Sequence, residues 1–208
     1  MIIDTHVHES KYSADSSISL EEILQRAKKI GLDGICITDH DTNELRKDRG
    51  VSFKQDGVLV IVGAEILTFQ GDVLVFGLEK LPKEMINASE LLEMVNEVKG
   101  VAISAHPFRN NNRGLGQHIR EVSEQSIGVE VLNGSTTSFG NLYAYALAME
   151  LNLGCFGASD AHVIQNLGKF ATRFENTIRD EQDFIEAVKG RNFRPVVHKS
   201  NGFEDINI

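Results

Sequence analysis

The chain is short of most of the residues that staple, punctuate or anchor a protein. Its 208 residues include three prolines, two cysteines and no tryptophan. Two cysteines make no disulfide scaffold, and Cys36 in GICIT and Cys155 in LGCFG both lie inside apolar runs, where a lone cysteine packs as a small core residue. A reducing cytoplasm fits that usage. With so little proline and no Ser/Gly-rich or low-complexity stretch, nothing marks a linker, and the length suits one domain over residues 1–208. No apolar run approaches the length of a membrane span and no basic, apolar leader precedes IIDTHVH, so neither insertion nor export is expected. Positive charge is scarce as well. Lys and Arg number 21 against 30 Asp and Glu, a formal net charge of -9, which disfavours extended duplex nucleic acid because such binding draws on many Lys/Arg contacts to phosphate. That exclusion is partial, since acidic residues holding divalent cations reverse the local potential where an anion would enter. Three tyrosines and no tryptophan leave few platforms for stacked bases, although Phe108 and Phe139 could serve. No glycine-rich loop is followed by Lys and Ser/Thr, so a phosphate-cradling P-loop is excluded.

What is present alternates between strand and helix. IIDTHVH reads as a strand, and SISLEEILQRAKKIGL follows as a helix with a serine cap, apolar residues at helical spacing and a stop at Gly31. Then come strand GICITDH, a short polar helix around 42–49, and a third strand, VLVIVGAEI. Their unbroken Val/Ile content is that of strands covered on both faces in a parallel sheet. ILTFQGDVLVFGL predicts a hairpin turning near Gln70 to Asp72, and NASELLEMVNEVKG a helix ending at Gly100. Strand VAISA, a helix near 115–125, strand GVEVL, a helix over 138–151, strands LGCFGAS and FATRFE, and helix EQDFIEAVKG complete the series. About seven strands and a comparable number of helices favour a distorted (β/α)7 barrel.

Five of the seven histidines and three carboxylates lie at or just past the ends of these strands or in the loop after the first: His6, His8, Asp15, His40, Glu65, His106, Asp160 and His162. In parallel strands joined by helices those ends share one face, where such folds build their sites. His, Asp and Glu converging there form the ligand set of a divalent metal, and more than four imply more than one ion. This reads as a multinuclear metal-dependent hydrolase. The HPFRNNNRG loop sets Arg109 and Arg113 just beyond His106, Arg109 in a place to act on the reacting group, and arginine suits bidentate recognition of phosphate oxygens. Arg173 and Lys169 add positive charge near the last strand, while His118 and His198 read as incidental.

The ordered set DTHVH, TDHD, GAE, AHP and SDAH resembles the PHP superfamily, named for its polymerase and histidinol phosphatase members, and GKFATRFENTIRDEQDFIEAVKGRNFRPV is similar to the segment closing many small stand-alone members. The resemblance implies a distorted (β/α)7 barrel, two or three divalent ions (Mn, Fe or Zn) and hydrolysis of phosphate esters. It also implies that His6, His8, Glu65 and Asp160 hold one ion, that Asp15, His40 and His162 hold a second, and that Glu65 bridges to a third site using His106. Where some members supply a further His or Cys to that third site this chain has Asn133, a weaker ligand. Two such ions acidify a water and neutralise charge on a phosphoryl group, so no side-chain nucleophile is needed, and Asp39, beside His40, is expected to fix an imidazole or handle a proton. The leading expectation is a phosphoesterase acting on a small phosphorylated substrate or a nucleotide. Its alternatives are a 5'-3' exonuclease on short oligonucleotides and a non-catalytic metal-binding accessory domain. A metal-dependent amidohydrolase is disfavoured, because no lysine stands at a strand end.

Overall fold

In a computed structural model, which describes residues 1–125 and 127–206, the apolar runs become strands buried along almost their whole length, and three further strands, Ser52–Gln55, Phe193–Lys199 and Gly202–Asp205, are only partly buried. They are β1 (Ile2–Val7), β2 (Gly34–Ile37), β3 (Ser52–Gln55), β4 (Val58–Val62), β5 (Ala64–Leu67), β6 (Asp72–Phe76), β7 (Val101–Ser104), β8 (Ile127–Asn133), β9 (Cys155–Ala158), β10 (Phe170–Phe174), β11 (Phe193–Lys199) and β12 (Gly202–Asp205). The helices are α1 (Leu20–Ile30), α2 (Leu45–Arg49), α3 (Ala88–Glu97), α4 (Ile119–Val122), α5 (Ser138–Glu150) and α6 (Glu181–Gly190). Helix α1 starts where its sequence says it should. Ser19 accepts from the Glu22 amide, Glu22 answers to the Ser19 amide, and Gly31 closes the helix at φ 82°.

The strands divide into two sheets, ordered β12-β11-β10-β1-β2-β4-β3 and β5-β6-β7-β8-β9. Within them β1, β2 and β4 run parallel, as do β7, β8 and β9. Among the described residues the ladders close no barrel; the isolated bridges Val7↔Ala161 and His40↔Glu65 link the sheets, and both lie at the strand ends that carry the histidines. This departs from the (β/α)7 expectation, and Gly63 shows one cause. The run VLVIVGAEI, read from sequence as one strand, is β4 in the first sheet and β5 in the second. A Cβ at Gly63 would meet the Phe76 ring at 2.6 Å and the Val75 carbonyl oxygen at 2.7 Å, so only glycine lets the chain change sheets so closely. The expected helix near 115–125 is likewise broken, with α4 flanked by 3-10 turns.

Between the sheets lies one apolar core including Ile3, Ile61, Leu74, Ile103, Phe156 and Phe174, closed at one side by Phe184 of α6. Helix α1 covers the outer face of the first sheet, and α3, α4 and α5 that of the second. Cys36 is buried and Cys155 half-buried, both free. Among the described residues no helix is long and apolar enough to cross a membrane.

Candidate metal centre

His6 ends β1 and His8 follows it; Asp39 and His40 follow β2, Glu65 sits in β5, His106 follows β7, Glu130 lies in β8, and Asp160 and His162 follow β9. Two of these positions are strained. His106 has φ 29° and Asp160 φ 52°, a left-handed backbone that non-glycine residues avoid. Asp4 anchors the backbone next to Asp160, its fully buried carboxylate accepting from the Ser159 amide at 2.9 Å and the Gly168 amide at 3.0 Å. Burial pushes that carboxyl up to about 6.

His6 and His8 have their outer nitrogens committed. The Nδ1 of His6 donates to Glu130 Oε1 at 2.8 Å, and that of His8 to the Ser13 hydroxyl at 3.2 Å. Ser13 passes its own proton to Asp39 at 2.8 Å. Both Nε2 atoms therefore present lone pairs inward, only 2.9 Å apart. Glu65 Oε2 lies 3.3 Å and Asp160 Oδ1 3.5 Å from each of them. Neither oxygen has a hydrogen-bond partner among the described residues, and all four side chains are buried. Four inward lone pairs in a dry pocket repel one another unless a cation stands among them. Burial opposes a charged His6, yet the Glu130 and Glu65 carboxylates outweigh it and push its pKa up to about 10, so this point of the pocket favours positive charge, carried by a proton when no ion is bound.

A second group stands beside the first and opens to solvent. Asp15 Oδ2 is 3.1 Å from His40 Nε2 and 3.3 Å from His162 Nε2, which are themselves 3.4 Å apart. Their side chains are 57%, 26% and 24% exposed, which leaves this end as the way in. The Nδ1 of His162 is turned to the Asp160 carbonyl at 3.2 Å, and burial, with His8 alongside, pushes its pKa down to about 3, so the ring stays neutral with Nε2 free to ligate. His8, His40 and His162 can hold one ion, His6, His8 and Asp160 another, and His6, Glu65 and His106 form a further cluster.

Of the other residues singled out from sequence, Asp39 is buried and supports His8 through Ser13, also accepting from the Glu9 amide at 2.9 Å. Arg109 reaches the centre, contacting Asp160 and donating to Asn133 Oδ1 at 3.0 Å, with its buried Nε unpartnered among the described residues. Arg113 is committed to Asp72 through two bonds of 2.7 and 2.9 Å. The structure does not bring Arg173 to the site. It pairs with Ile2, at the opposite end of β1 from His6, and donates to Asp205 and the Phe203 carbonyl. Lys169 donates to the Gly134 carbonyl. Sequence reasoning missed Glu130, Ser13 and Asp72. A single carboxylate inside GVEVL was a usable signal for Glu130, because a charge in an otherwise apolar strand needs a partner; Ser13 carried none.

A family model described as PHP-associated matches residues 140–193. The chain is 34% identical over 144 residues to the uncharacterized protein MJ1587 of Methanocaldococcus jannaschii, a match covering 64% of this chain and 82% of that one. Among solved structures, PsfC from Pseudomonas syringae PB-5123 is similar at TM-score 0.72 and 24% identity, over 88% of this chain and 87% of PsfC. A two-domain protein from Bacteroides vulgatus containing a predicted PHP-like metal-dependent phosphoesterase gives 0.70 at 21% identity, over 94% of this chain and 64% of that one. Endonuclease Q, solved with a 27-mer duplex substrate carrying an abasic lesion, gives 0.70 at 20% identity, over 91% of this chain and 57% of its own. At such identities these structures establish a shared fold.

Proposed function

The chain belongs to the PHP superfamily, and from that premise we propose that it is a metal-dependent phosphoesterase, formed as a single domain, that hydrolyses small phosphate monoesters or nucleotides. The observation that carries this reading is the inward quartet of His6 Nε2, His8 Nε2, Glu65 Oε2 and Asp160 Oδ1, a buried donor set that suits a divalent cation. Asp15, His40 and His162 would hold a second ion beside it. Bound there, two divalent ions would acidify water and neutralise charge building on a phosphoryl group. The chain's own residues do the rest. Glu130 and the Ser13–Asp39 pair hold His6 and His8 with Nε2 facing inward, and Arg109, set against Asp160 and with a buried Nε–H unpartnered among the described residues, would bind a phosphoryl oxygen. No serine or cysteine is needed as nucleophile.

One feature favours a second reading, an exonuclease on short oligonucleotides. The rings of Phe108 and Tyr143 lie 6.0 Å apart next to Arg109, and Phe139 and Tyr143 on α5 are exposed, a surface on which bases can stack. Assaying p-nitrophenyl phosphate, nucleoside monophosphates, bis(p-nitrophenyl) phosphate and short oligonucleotides with Mn²⁺, Fe²⁺ and Zn²⁺ tests both. Metal-dependent release of phosphate from monoesters is expected. Release of nucleotides from oligonucleotides with inert monoesters would favour the exonuclease, and no hydrolysis of any phosphate ester with the metals bound would overturn the assignment.

A further inference from the structure

The residues present fit two of the ion positions that the family implies. They do not fit the third. A ligating histidine donates its other ring N–H to a fixed acceptor, as His6 does to Glu130, His8 to Ser13 and His162 to the Asp160 carbonyl. The buried Nδ1 of His106 has no such partner among the described residues, a lack it shares with the Nδ1 of His40, so what sets His106 apart is the groups around its Nε2. Its Nε2 lies 2.8 Å from Glu65 Oε1, an oxygen that can only accept, closer than His40 Nε2 stands to Asp15 at 3.1 Å.

The neighbours that would complete a third site are already engaged. Asn133 Oδ1 accepts from Arg109, from the Ser135 amide at 2.9 Å and from the Thr136 hydroxyl at 3.1 Å. Its Nδ2 donates to Glu130 at 2.9 Å and toward Asp160 Oδ2 at 3.4 Å, so Asn133 turns a donor to the centre. Asp72, with Oδ2 3.8 Å from His106 Nε2, is held bidentately by Arg113. Meanwhile the guanidinium of Arg109 lies against Asp160 Oδ2, itself 4.0 Å from His106 Nε2, and so places a positive charge beside the third position.

We propose that this chain holds two divalent ions and supplies the third positive charge of its centre itself, as the guanidinium of Arg109 with Arg113 behind it. Arg109 and Arg113 also repel a further dication from the His106 side, and the guanidinium stays in place under chelation. The proposal rests on the metal-dependent reading of the site, and metal stoichiometry separates the failure of one from the failure of the other. Protein saturated with Mn²⁺, passed over a mild chelating resin and measured by elemental mass spectrometry should carry two equivalents, at two anomalous peaks in a crystal. Asn133→His alone should stay at two, because the guanidinium remains. Arg109→Ala combined with Asn133→His should gain a third. Three equivalents in the unmodified protein, or in Asn133→His alone, would overturn the proposal while leaving the phosphoesterase reading intact, and no bound metal at all would overturn both.

Discussion

The His8 side and the His106 side of this one pocket use the same residue types to opposite ends. On the first, His6, His8 and His162 are each backed by an acceptor and turn a bare nitrogen inward, and the carboxylate oxygens Glu65 Oε2 and Asp160 Oδ1 have no hydrogen-bond partner among the described residues. On the second, imidazole donates to carboxylate, amide donates to carboxylate, and guanidinium covers what remains. The lesson is that a ligand is an available lone pair rather than a residue type, and availability is decided by what holds the far side of the ring. Glu130 spans both halves, taking His6 with one oxygen and the His106 amide and Asn133 with the other.

The largest way to break this contrast is His8→Ala, which removes the nitrogen close to both the buried quartet and the solvent-facing group. Metal content and turnover should fall together, by more than the roughly 10–100-fold that loss of an outer partner costs. Full metal content with near-normal turnover would mean that ions are held elsewhere. Glu130→Gln comes next. An amide can still accept from His6, but its NH2 faces two donors, the His106 amide and Asn133, so metal affinity should drop about 10–100-fold, measured by competition with a chromogenic chelator. Thermal melts should record the unpaired buried donors, each costing about 1–3 kcal/mol.

Arg109→Ala sharpens the comparison on the other side. With both ions retained, losing a charge-assisted contact worth roughly 1.5–3 kcal/mol should lower kcat/KM about ten- to a hundred-fold, and Arg109→Lys should recover only part because an ammonium lacks the planar fork. Unchanged kinetics in Arg109→Ala would remove this residue from substrate binding. The smallest effect is expected from Arg173→Ala, whose guanidinium serves β12 at the far end of β1. Kinetics within about twofold of the unmodified protein are expected, since exposed ion pairs contribute only about 0–1 kcal/mol to stability. A large loss of kcat/KM would place Arg173 in the chemistry after all.

Much of this was legible beforehand. The βα alternation, the Ser19 and Gly31 caps of α1 and the hairpin near residue 70 follow from local rules, and the clustering of His6, His8, Asp15, His40, Glu65, Asp160 and His162 follows from their shared place at strand ends. The division into two sheets was hidden in Gly63, since VLVIVGAEI carries no mark of the Phe76 ring that forces the chain to cross there. Strands β3 and β12, at the edges of the first sheet, and β11 beside β12 went unread because their residues are largely only partly buried and show little apolar periodicity.

By itself, then, the sequence determined which chemical groups this protein owns and that they gather at one end of its strands, because side-chain direction and strand polarity are set within a few residues of each position. Only the tertiary structure decided what each group is free to do. Glu130 holds His6 across 124 positions and Asp72 takes Arg113 across 41. Which nitrogen keeps its lone pair, and which arginine keeps an unpaired donor, depends on such distant contacts, and no local pattern records them.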